Sequence, residues 1–332
     1  MSGTAAERFR GRRVLITGGL GFIGSSLARR LVAAGSEVRI VDALIPECGG
    51  NRANLAGIER EVEVTKADLR DGARVRRLVG GCEFVFNLAG HTSHIDSMNA
   101  PQLDLELNCA AHLSLLDACR SVDARPTIVF AGTRQVYGRP RSIPVDEAHP
   151  LEPVDVNGIH KLACEQYHLL YGALYGLRVA VLRLTNTYGP GMRVRDARQT
   201  FLGVWVRDLV RGDEFEVWGD GSQVRDFTYV DDAVSALLLV ALEGNAQGRP
   251  LNLGDDRTVS LLELADLAVA ANGGGSFRVV RFPAERKAID IGDYAGDFRL
   301  IRELVGWRPT VSLEDGLSRT LAYYREHGSR YW

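Results

Sequence analysis

The chain has 332 residues, of which 45% are hydrophobic and 25% are charged, and its formal net charge is −2. This is the composition of a soluble globular protein, and the length suits one large domain or two coupled domains. The charge balance gives no sign of a nucleic-acid or anionic-membrane partner. The longest apolar run, at 233–242, is about half as long as a membrane span requires.

Two further features of the composition indicate the compartment. Five cysteines are scattered along the chain without paired spacing, which predicts free thiols in a reducing environment. The first 13 residues contain no apolar signal core. We therefore expect a cytoplasmic protein. No group of His, Cys and acidic residues has the spacing of a metal site, so no metal is predicted.

Short apolar strands alternate with amphipathic helices in the first half of the chain. The predicted strands are 13–19, 37–43, 84–90, 127–133 and 178–184, and the predicted helices include 22–34, 104–121 and 157–175. Such alternation predicts an α/β fold with a doubly wound parallel sheet that is covered by helices on both faces.

The pattern loosens after residue 185. We predict a first domain over 1–185 and a smaller mixed α/β domain over 186–332, which would bind the substrate. The stretch 250–255 has the pattern of a strand. We therefore expect the segment 226–258 to rejoin the first domain.

A glycine-rich turn joins the first predicted strand to the first predicted helix. Gly18, Gly21 and Gly24 have the spacing G-x-x-G-x-x-G. Such glycines allow a tight turn and a close approach of the backbone to a pyrophosphate, which the free N–H groups of the helix N-terminus then bind. The motif predicts a Rossmann dinucleotide site that also includes Phe22 and Ile23.

An acid at the end of the second strand selects the dinucleotide. The carboxylate of Asp42 can accept hydrogen bonds from the adenosine ribose and would repel a 2′-phosphate. No arginine follows it, since Ala43 and Leu44 come next. The sequence therefore favours NAD over NADP.

A set of motifs occurs in order along most of the chain. They are TGGLGFIG, ADLRD (67–71), NLAG (87–90), TRQVYG (133–138), LRLTNTYGPG (182–191) and GDGSQVRDFTYVDD (219–232). Together they resemble the extended short-chain dehydrogenase/reductase family of nucleotide-sugar epimerases and dehydratases. UDP-glucose 4-epimerase-like members are the most similar.

The resemblance implies positions for both ligands. Asp68 and Leu69 would lie near the adenine of a tightly held NAD, and Leu88, Ala89 and Gly90 would lie along the cofactor. A nucleoside-diphosphate sugar would lie between the domains.

By the same match, Asn186 and Arg225 would contact the substrate diphosphate. A guanidinium suits this role because its planar fork bonds phosphate oxygens in pairs. Asp290 lies in the segment 282–297, where the family closes the substrate pocket. We expect it to contact the substrate.

The catalytic set departs from the family pattern. The resemblance implies a Ser or Thr, a Tyr that takes the sugar hydroxyl proton, and a Lys that holds the ribose. Thr133 and Lys161 match two of these, but Asn157 stands four residues before the lysine, where the tyrosine belongs. No other tyrosine on this helix has a lysine four residues later.

An amide cannot act as a base, although it can bond a sugar hydroxyl or a water. Losing a positioned base lowers a rate by about 10²–10⁴. Substitute bases near the site are His91, His94, Asp96, His160 and Tyr137. We favour His91 because it directly follows the strand that contacts the cofactor, and histidine has a suitable pKa.

The residues after Thr133 separate the reaction types of the family. Dehydratases usually carry Thr-Asp-Glu here and decarboxylases a glutamate two after the threonine, whereas this chain has Arg134 and Gln135. Elimination needs a proton donor to the leaving hydroxyl. The sequence therefore predicts an epimerase, acting at C4 through a transient keto-sugar.

Two alternatives remain open. One is another redox enzyme on a nucleotide sugar, such as a reductase, a 2-epimerase or a dehydratase. The other is a non-catalytic protein that binds NAD or a nucleotide sugar. The resemblance further implies a homodimer built on helices 104–121 and 157–175. The second helix carries a stripe of leucines at 162, 169, 170 and 174.

Overall fold

A computed structural model describes residues 5–332 of the chain, and a parallel sheet of seven strands forms its centre. The strands of the described residues are β1 (Arg13–Thr17), β2 (Glu37–Asp42), β3 (Val62–Lys66), β4 (Phe84–Asn87), β5 (Thr127–Thr133), β6 (Arg178–Leu184), β7 (Asn186–Tyr188), β8 (Phe215–Trp218), β9 (Val224–Tyr229), β10 (Pro250–Leu253), β11 (Thr258–Ser260) and β12 (Phe277–Val280). The central sheet has the order β10-β6-β5-β4-β1-β2-β3.

Helices cover both faces of this sheet. The α-helices are α1 (Phe22–Ala33), α2 (Gly72–Val79), α3 (His94–Asn99), α4 (Pro101–Leu105), α5 (Ala111–Ser121), α6 (Val156–Tyr175), α7 (Phe201–Arg211), α8 (Val230–Leu242), α9 (Leu261–Asn272), α10 (Ala284–Ala288), α11 (Arg299–Val305) and α12 (Leu313–His327). The predicted doubly wound α/β fold is confirmed.

Alternation of apolar side chains along the strands builds a core on each face. Ile16 of β1 and Phe86 of β4 belong to the core that includes α1 and α8. Their neighbours Leu15 and Val85 belong to the opposite core, with α2, α5 and α6. Successive side chains of a strand point to opposite faces, and burying each such side chain contributes about 1.5–3 kcal/mol.

Two strands of the central sheet lie outside the five predicted for the first half of the chain. β3 forms one edge beside β2, and β10 forms the other edge, where Leu251 pairs with Leu182. β3 has only five residues, of which Glu63 and Lys66 are charged and exposed. An edge strand with polar residues carries little of the apolar signal that identifies a central strand.

The predicted helix 104–121 is not one continuous α-helix. It comprises the end of α4, a π-helical turn at Glu106–Ala110 and α5. Leu107 of this turn reaches the large cavity described below. π-turns inside helices occur frequently at functional sites.

The second part of the chain holds two small sheets. In one, β9 pairs with β7 in parallel and with β11 antiparallel; in the other, β8 and β12 are parallel. These strands bring Asn186, Trp218 and Arg225 to the cavity at the carboxyl ends of the central strands.

The leucine stripe of α6 divides between core and surface. Leu162 and Leu169 pack against buried clusters, whereas Leu170 and Leu174 are 48% and 66% exposed. Among the described residues, no helix has the length and apolarity needed to cross a bilayer. All five cysteines are free thiols.

Candidate active site

A cavity of about 740 Å³ runs from the carboxyl ends of β1, β2 and β4 to residues of the second part of the chain, such as Trp218 and Arg225. Its size lies within the range of about 300–1,000 Å³ that is usual for ligand pockets. The sheet order reverses between β1 and β4, and such switch points are where open parallel sheets bind ligands. Every residue that the sequence predicts to contact the cofactor lines this cavity, namely Gly18, Gly21, Phe22, Ile23, Gly24, Asp42, Asp68, Leu69, Leu88, Ala89, Gly90 and Lys161.

The glycine turn leaves no room for side chains. Gly18 has φ +67°, and a Cβ there would lie 2.9 Å from the backbone of Ala89. A Cβ at Gly24 would lie 2.4 Å from Gly18 O. α1 begins at the N-cap Gly21, which gives no side-chain cap, so its first N–H groups are available to the pyrophosphate of a dinucleotide.

Asp42 is held in place by the backbone. Its Oδ2 accepts a hydrogen bond from Leu20 N at 3.1 Å, and its Oδ1 accepts one from Leu44 N at 2.8 Å. Burial raises the pKa of Asp42, while these two hydrogen bonds lower it. A carboxylate fixed in this way can accept further hydrogen bonds from ribose hydroxyls.

Lys161 is a buried cation at the wall of the cavity. Burial lowers its pKa, and its Nζ lies 5.5 Å from the centroid of the Phe130 ring. A Cβ at Gly90 would lie 2.7 Å from Nζ. Within residues 5–332 Lys161 has no ion-pair partner, so its charge is available to a ligand.

Asn157 belongs to a buried cluster around Asp104, which we call the Asp104 cluster. It consists of His91, Asp104, Asn157 and His160. Asp104 Oδ2 lies 2.9 Å from His91 Nδ1 and accepts from Asn157 Nδ2 at 3.1 Å, and its Oδ1 lies 2.8 Å from His160 Nδ1. Burial alone would raise the pKa of Asp104, but these hydrogen bonds outweigh it and leave the pKa well below its ordinary value.

The cluster fixes the orientation of the asparagine. Its Nδ2 also donates to His91 O at 2.8 Å, and its backbone N–H donates to Ser97 Oγ. Asn157 borders the cavity, but both hydrogens of its amide are used inside the cluster. These hydrogens are therefore not available to a sugar hydroxyl in this structure.

Three of the predicted substitute bases lie away from the cavity. His91 and His160 are not among its lining residues and are bound to Asp104. Tyr137 is fully buried between Asn252 and Arg183, and burial raises the pKa of its hydroxyl to about 12. His91 Nε2 lies 3.9 Å from Oδ2 of Asp96, which does line the cavity, and a base at His91 stays a prediction.

His94, by contrast, lines the cavity, and its side chain is 32% exposed. Its Nδ1 lies 2.8 Å from Oδ2 of Asp155, whose side chain is buried. That oxygen receives no aligned hydrogen bond from the described residues, so the contact is an ion-pair contact and not a straight hydrogen bond. Gln135 Nε2 lies 3.4 Å from His94 Nε2.

The second predicted substitute in the cavity wall is Asp96. Its carboxylate lies 2.9 Å from Arg198 Nε, and Arg198 also pairs with Glu47 and Asp196. The carboxylate of Asp96 is therefore engaged by a guanidinium in this structure.

The predicted substrate contacts lie at the other end of the cavity. Asn186 Nδ2 donates to Asp226 O at 2.9 Å, and Arg225 Nη2 lies 3.2 Å from Asp290 Oδ1. Arg225 also donates to the carbonyl of Gly292. Burial lowers its pKa to about 10, which still leaves it charged near neutral pH.

A buried group of possible metal ligands was not predicted. His112, Cys164 and His168 place ligand atoms within 4.8 Å of one another. Asn87 Nδ2 contacts His112 Nδ1 at 2.8 Å and His168 Nε2 at 3.0 Å, and His168 Nδ1 contacts Cys164 O at 2.8 Å. These hydrogen bonds account for the arrangement of the rings without a metal.

Comparison with known proteins identifies the family. The model of the NAD dependent epimerase/dehydratase family matches residues 14–254. The chain belongs to this family. Its cofactor is NAD, as the glycine turn and Asp42 predict.

Curated relatives of similar identity catalyse different reactions. A putative UDP-glucose 4-epimerase of Methanocaldococcus jannaschii is 29% identical over 95% of this chain and 99% of its own length. A dTDP-glucose 4,6-dehydratase of Streptomyces griseus is 32% identical over 96% and 95%. A UDP-glucuronic acid decarboxylase of Xenopus tropicalis is 31% identical over 95% and 72%.

Solved structures of the family share the whole architecture. An epimerase from Methanothermobacter thermautotrophicus superposes with a TM-score of 0.90, at 26% identity and over 98% of this chain and 95% of the other. A UDP-glucose 4-epimerase from Thermotoga maritima, determined with UDP-glucose, gives 0.85 at 30% identity over 95% and 99%. A dTDP-glucose 4,6-dehydratase from Streptomyces venezuelae with NAD bound gives 0.86 at 30% over 96% and 98%.

Sequence reasoning missed two acids of this epimerase/dehydratase site. Asp104 lies in a short helix with no periodic pattern, so nothing marks it as buried. Asp155 carries a recognisable signal, because it is the N-cap of α6 and its Oδ1 accepts from Gly158 N at 2.6 Å. A cap is expected to bond the backbone, and its contact with His94 depends on tertiary structure.

Proposed function

We propose that the protein is an NAD-dependent epimerase that acts on a nucleoside-diphosphate sugar and inverts C4 through a transient keto-sugar. The observation that carries this proposal is the continuity of the cavity. One space joins the glycine turn and Asp42 to Thr133 and Lys161, and reaches Arg225. Two ligands, a dinucleotide and a nucleotide sugar, can therefore meet within this cavity.

The residues of the first part suit the cofactor. The turn at Gly18 would bind the pyrophosphate, Asp42 the adenosine ribose and Lys161 the second ribose. When bound, NAD supplies the acceptor and donor of the hydride at the sugar carbon. The remaining work, which is positioning the sugar and moving a hydroxyl proton, falls to side chains of this chain.

Thr133 is the proposed contact of the reacting sugar hydroxyl. Its Oγ1 accepts from Gln135 N at 3.2 Å, which leaves the hydroxyl hydrogen free to donate. Asn157 would keep the adjacent wall in shape through the Asp104 cluster. Neither an amide nor a threonine can remove a proton near neutral pH, so a separate base is needed.

For that base we propose His94 in place of His91. The Nε2 of Gln135 lies at similar distances from the two ring nitrogens of His94, 3.4 Å from Nε2 and 3.5 Å from Nδ1. The carboxylate of Asp155, 2.8 Å from Nδ1, favours the hydrogen on Nδ1 and therefore the lone pair on Nε2. His94 would take the hydroxyl proton at Nε2. Asp155 would stabilise the resulting imidazolium from the Nδ1 side, as a buried carboxylate does for other catalytic histidines.

Elimination and decarboxylation have less support. Arg134 donates to Asn186 Oδ1 at 3.0 Å, and Gln135 contacts His94. Neither residue carries the carboxyl group that would protonate a leaving hydroxyl. Reversible oxidation with rotation of the sugar needs no such donor.

The test is proton NMR of the protein with NAD and a panel of UDP-, dTDP- and GDP-sugars. The anomeric and H4 signals of each sugar are followed for several hours. Conversion of one sugar to its C4 epimer is the expected result. A bound sugar that shows no conversion, with binding detected by saturation transfer, would overturn the proposal.

A further inference from the structure

Arg134 presents a guanidinium group to the cavity directly after Thr133. It opens a 3₁₀ turn, Arg134–Tyr137, that follows β5. Its Nη2 donates to Asn186 Oδ1 at 3.0 Å, and its Cζ lies 4.7 Å from the centroid of the Tyr294 ring. These two contacts fix the plane of the guanidinium.

The second terminal nitrogen of this group has no partner. Arg134 Nη1 is buried and makes no hydrogen bond within residues 5–332, and Arg134 forms no ion pair there. Two other arginines of the cavity are paired, Arg225 with Asp290 and Arg198 with Asp96. Arg134 also lines the cavity but has no carboxylate within ion-pair distance in residues 5–332, so its charge is available to an anionic ligand.

Asp226, a buried acid that interacts electrostatically with Arg134, does not provide a full counter-charge. Asp226 is completely buried, and its Oδ1 has no hydrogen-bond partner in the described chain. Burial raises the pKa of Asp226 to about 7, although the charge of Arg134 lowers it. Near neutral pH a large share of Asp226 is therefore neutral, and Arg134 keeps a net attraction for anions.

We propose that Arg134 binds a carboxylate on the sugar ring, so that the substrates are nucleotide-linked hexuronic acids. This inference rests on the proposed function, which assigns the sugar to Thr133 and the diphosphate to Arg225. A second cation is available for the diphosphate, since Arg286 lines the same end of the cavity over the Trp218 ring. Arg134 is adjacent to the sugar contact, and its fork matches a carboxylate in geometry.

Binding of matched ligand pairs tests this inference without turnover. Each pair consists of a glucuronate and a glucose on the same nucleotide, with UDP and with dTDP, titrated calorimetrically into the NAD-loaded protein. We expect the glucuronate of at least one pair to bind about 10- to 100-fold more tightly, the range for a charge-assisted hydrogen bond. Arg134→Met should bring the ratio to about one, and Arg134→Lys should retain part of it.

The control is Arg211→Met, which removes a cation at the end of α7, outside the cavity. It should leave the ratio unchanged. Absence of preference in both wild-type pairs would overturn the inference, as would a preference that survives in Arg134→Met. An equal loss of affinity for both sugars in Arg134→Met would also overturn it and assign Arg134 to the diphosphate. Epimerisation of a neutral sugar without any preference for a carboxylate would support the proposed function and overturn the present inference.

Discussion

The imidazole of His94 and the carboxylate of Asp155 meet at the start of α6, with 2.8 Å between Nδ1 and Oδ2. The same carboxylate caps the helix that carries Asn157 and Lys161. The contact therefore ties the proposed base to the element that presents the lysine. The position of the proposed base therefore depends on the N-terminus of α6.

Replacing His94 with alanine should lower kcat by about 10²–10⁴, because it removes the proposed proton acceptor. Added imidazole should restore part of the rate, since the vacated space opens into the cavity. The measurement is initial-rate kinetics on the sugar identified by NMR. His327→Ala, on α12, serves as the control. A loss in His91→Ala that equals the loss in His94→Ala, without imidazole rescue of the latter, would return the role to His91.

Restoring the family tyrosine with Asn157→Tyr should not raise activity, and should destabilise the protein by about 1–3 kcal/mol through overpacking. The amide that donates to Asp104 and to His91 O would be lost. Urea unfolding followed by circular dichroism measures the change. Gln166→Tyr, at an exposed position of the same helix, should stay within about 0.5 kcal/mol of wild type. A more active Asn157→Tyr of unchanged stability would contradict the assignment of Asn157 to the wall.

Asp226 should make stability depend on pH. Its pKa is raised by burial from 3.8 to about 7, so the folded state binds a proton more readily than the unfolded chain. Its stabilising contribution is complete below about pH 4 and is lost as the pH rises through about 7. The free energy of unfolding of Asp226→Asn should therefore fall less than that of wild type between pH 5 and pH 8.

Urea unfolding at several pH values in that interval measures this difference. The control is Asp220→Asn, because hydrogen bonds from Ser222 lower the pKa of Asp220 and its titration lies below this interval. Equal slopes for Asp226→Asn and wild type would show that Arg134 keeps the carboxyl ionised throughout.

The exposed leucines of α6 should form the predicted homodimer contact. Leu170→Arg combined with Leu174→Arg should yield a monomer, since four buried cations would face each other across a twofold axis. Sedimentation velocity measures the mass. Val279→Arg, at a position 50% exposed on β12, should leave the mass unchanged. A wild-type protein that sediments as a monomer would refute the prediction.

The fold and the cofactor could be predicted because their signals are local. A strand, a glycine turn and a helix follow each other within residues 13–34, and Asp42 ends the next strand. Such patterns depend on the period of the elements and on backbone conformation. β3 was not predicted because its five residues at the sheet edge include the charged Glu63 and Lys66, so it lacks the apolar run that marks the central strands.

The arrangement of the site could not be predicted to the same extent. His91 and His94 lie three residues apart in one loop, and the sequence offers both as bases. Only tertiary contacts with Asp104 and Asp155 separate the buried ring from the one that lines the cavity. In the sequence, Arg134 is notable only because dehydratases of the family carry an acid at this position. That one nitrogen of its guanidinium lacks a partner follows from its tertiary contacts with Asn186 and Tyr294.

The pairing of β10 with β6 has a consequence for synthesis of the chain. The strand that completes the sheet follows β7, β8 and β9 along the chain, about 65 residues after the end of β6. Until residue 253 has left the ribosome, β6 presents an open, apolar edge to other chains. Expression of residues 1–185 alone should therefore yield an aggregating fragment, and a soluble cofactor-binding unit should extend at least to Leu253.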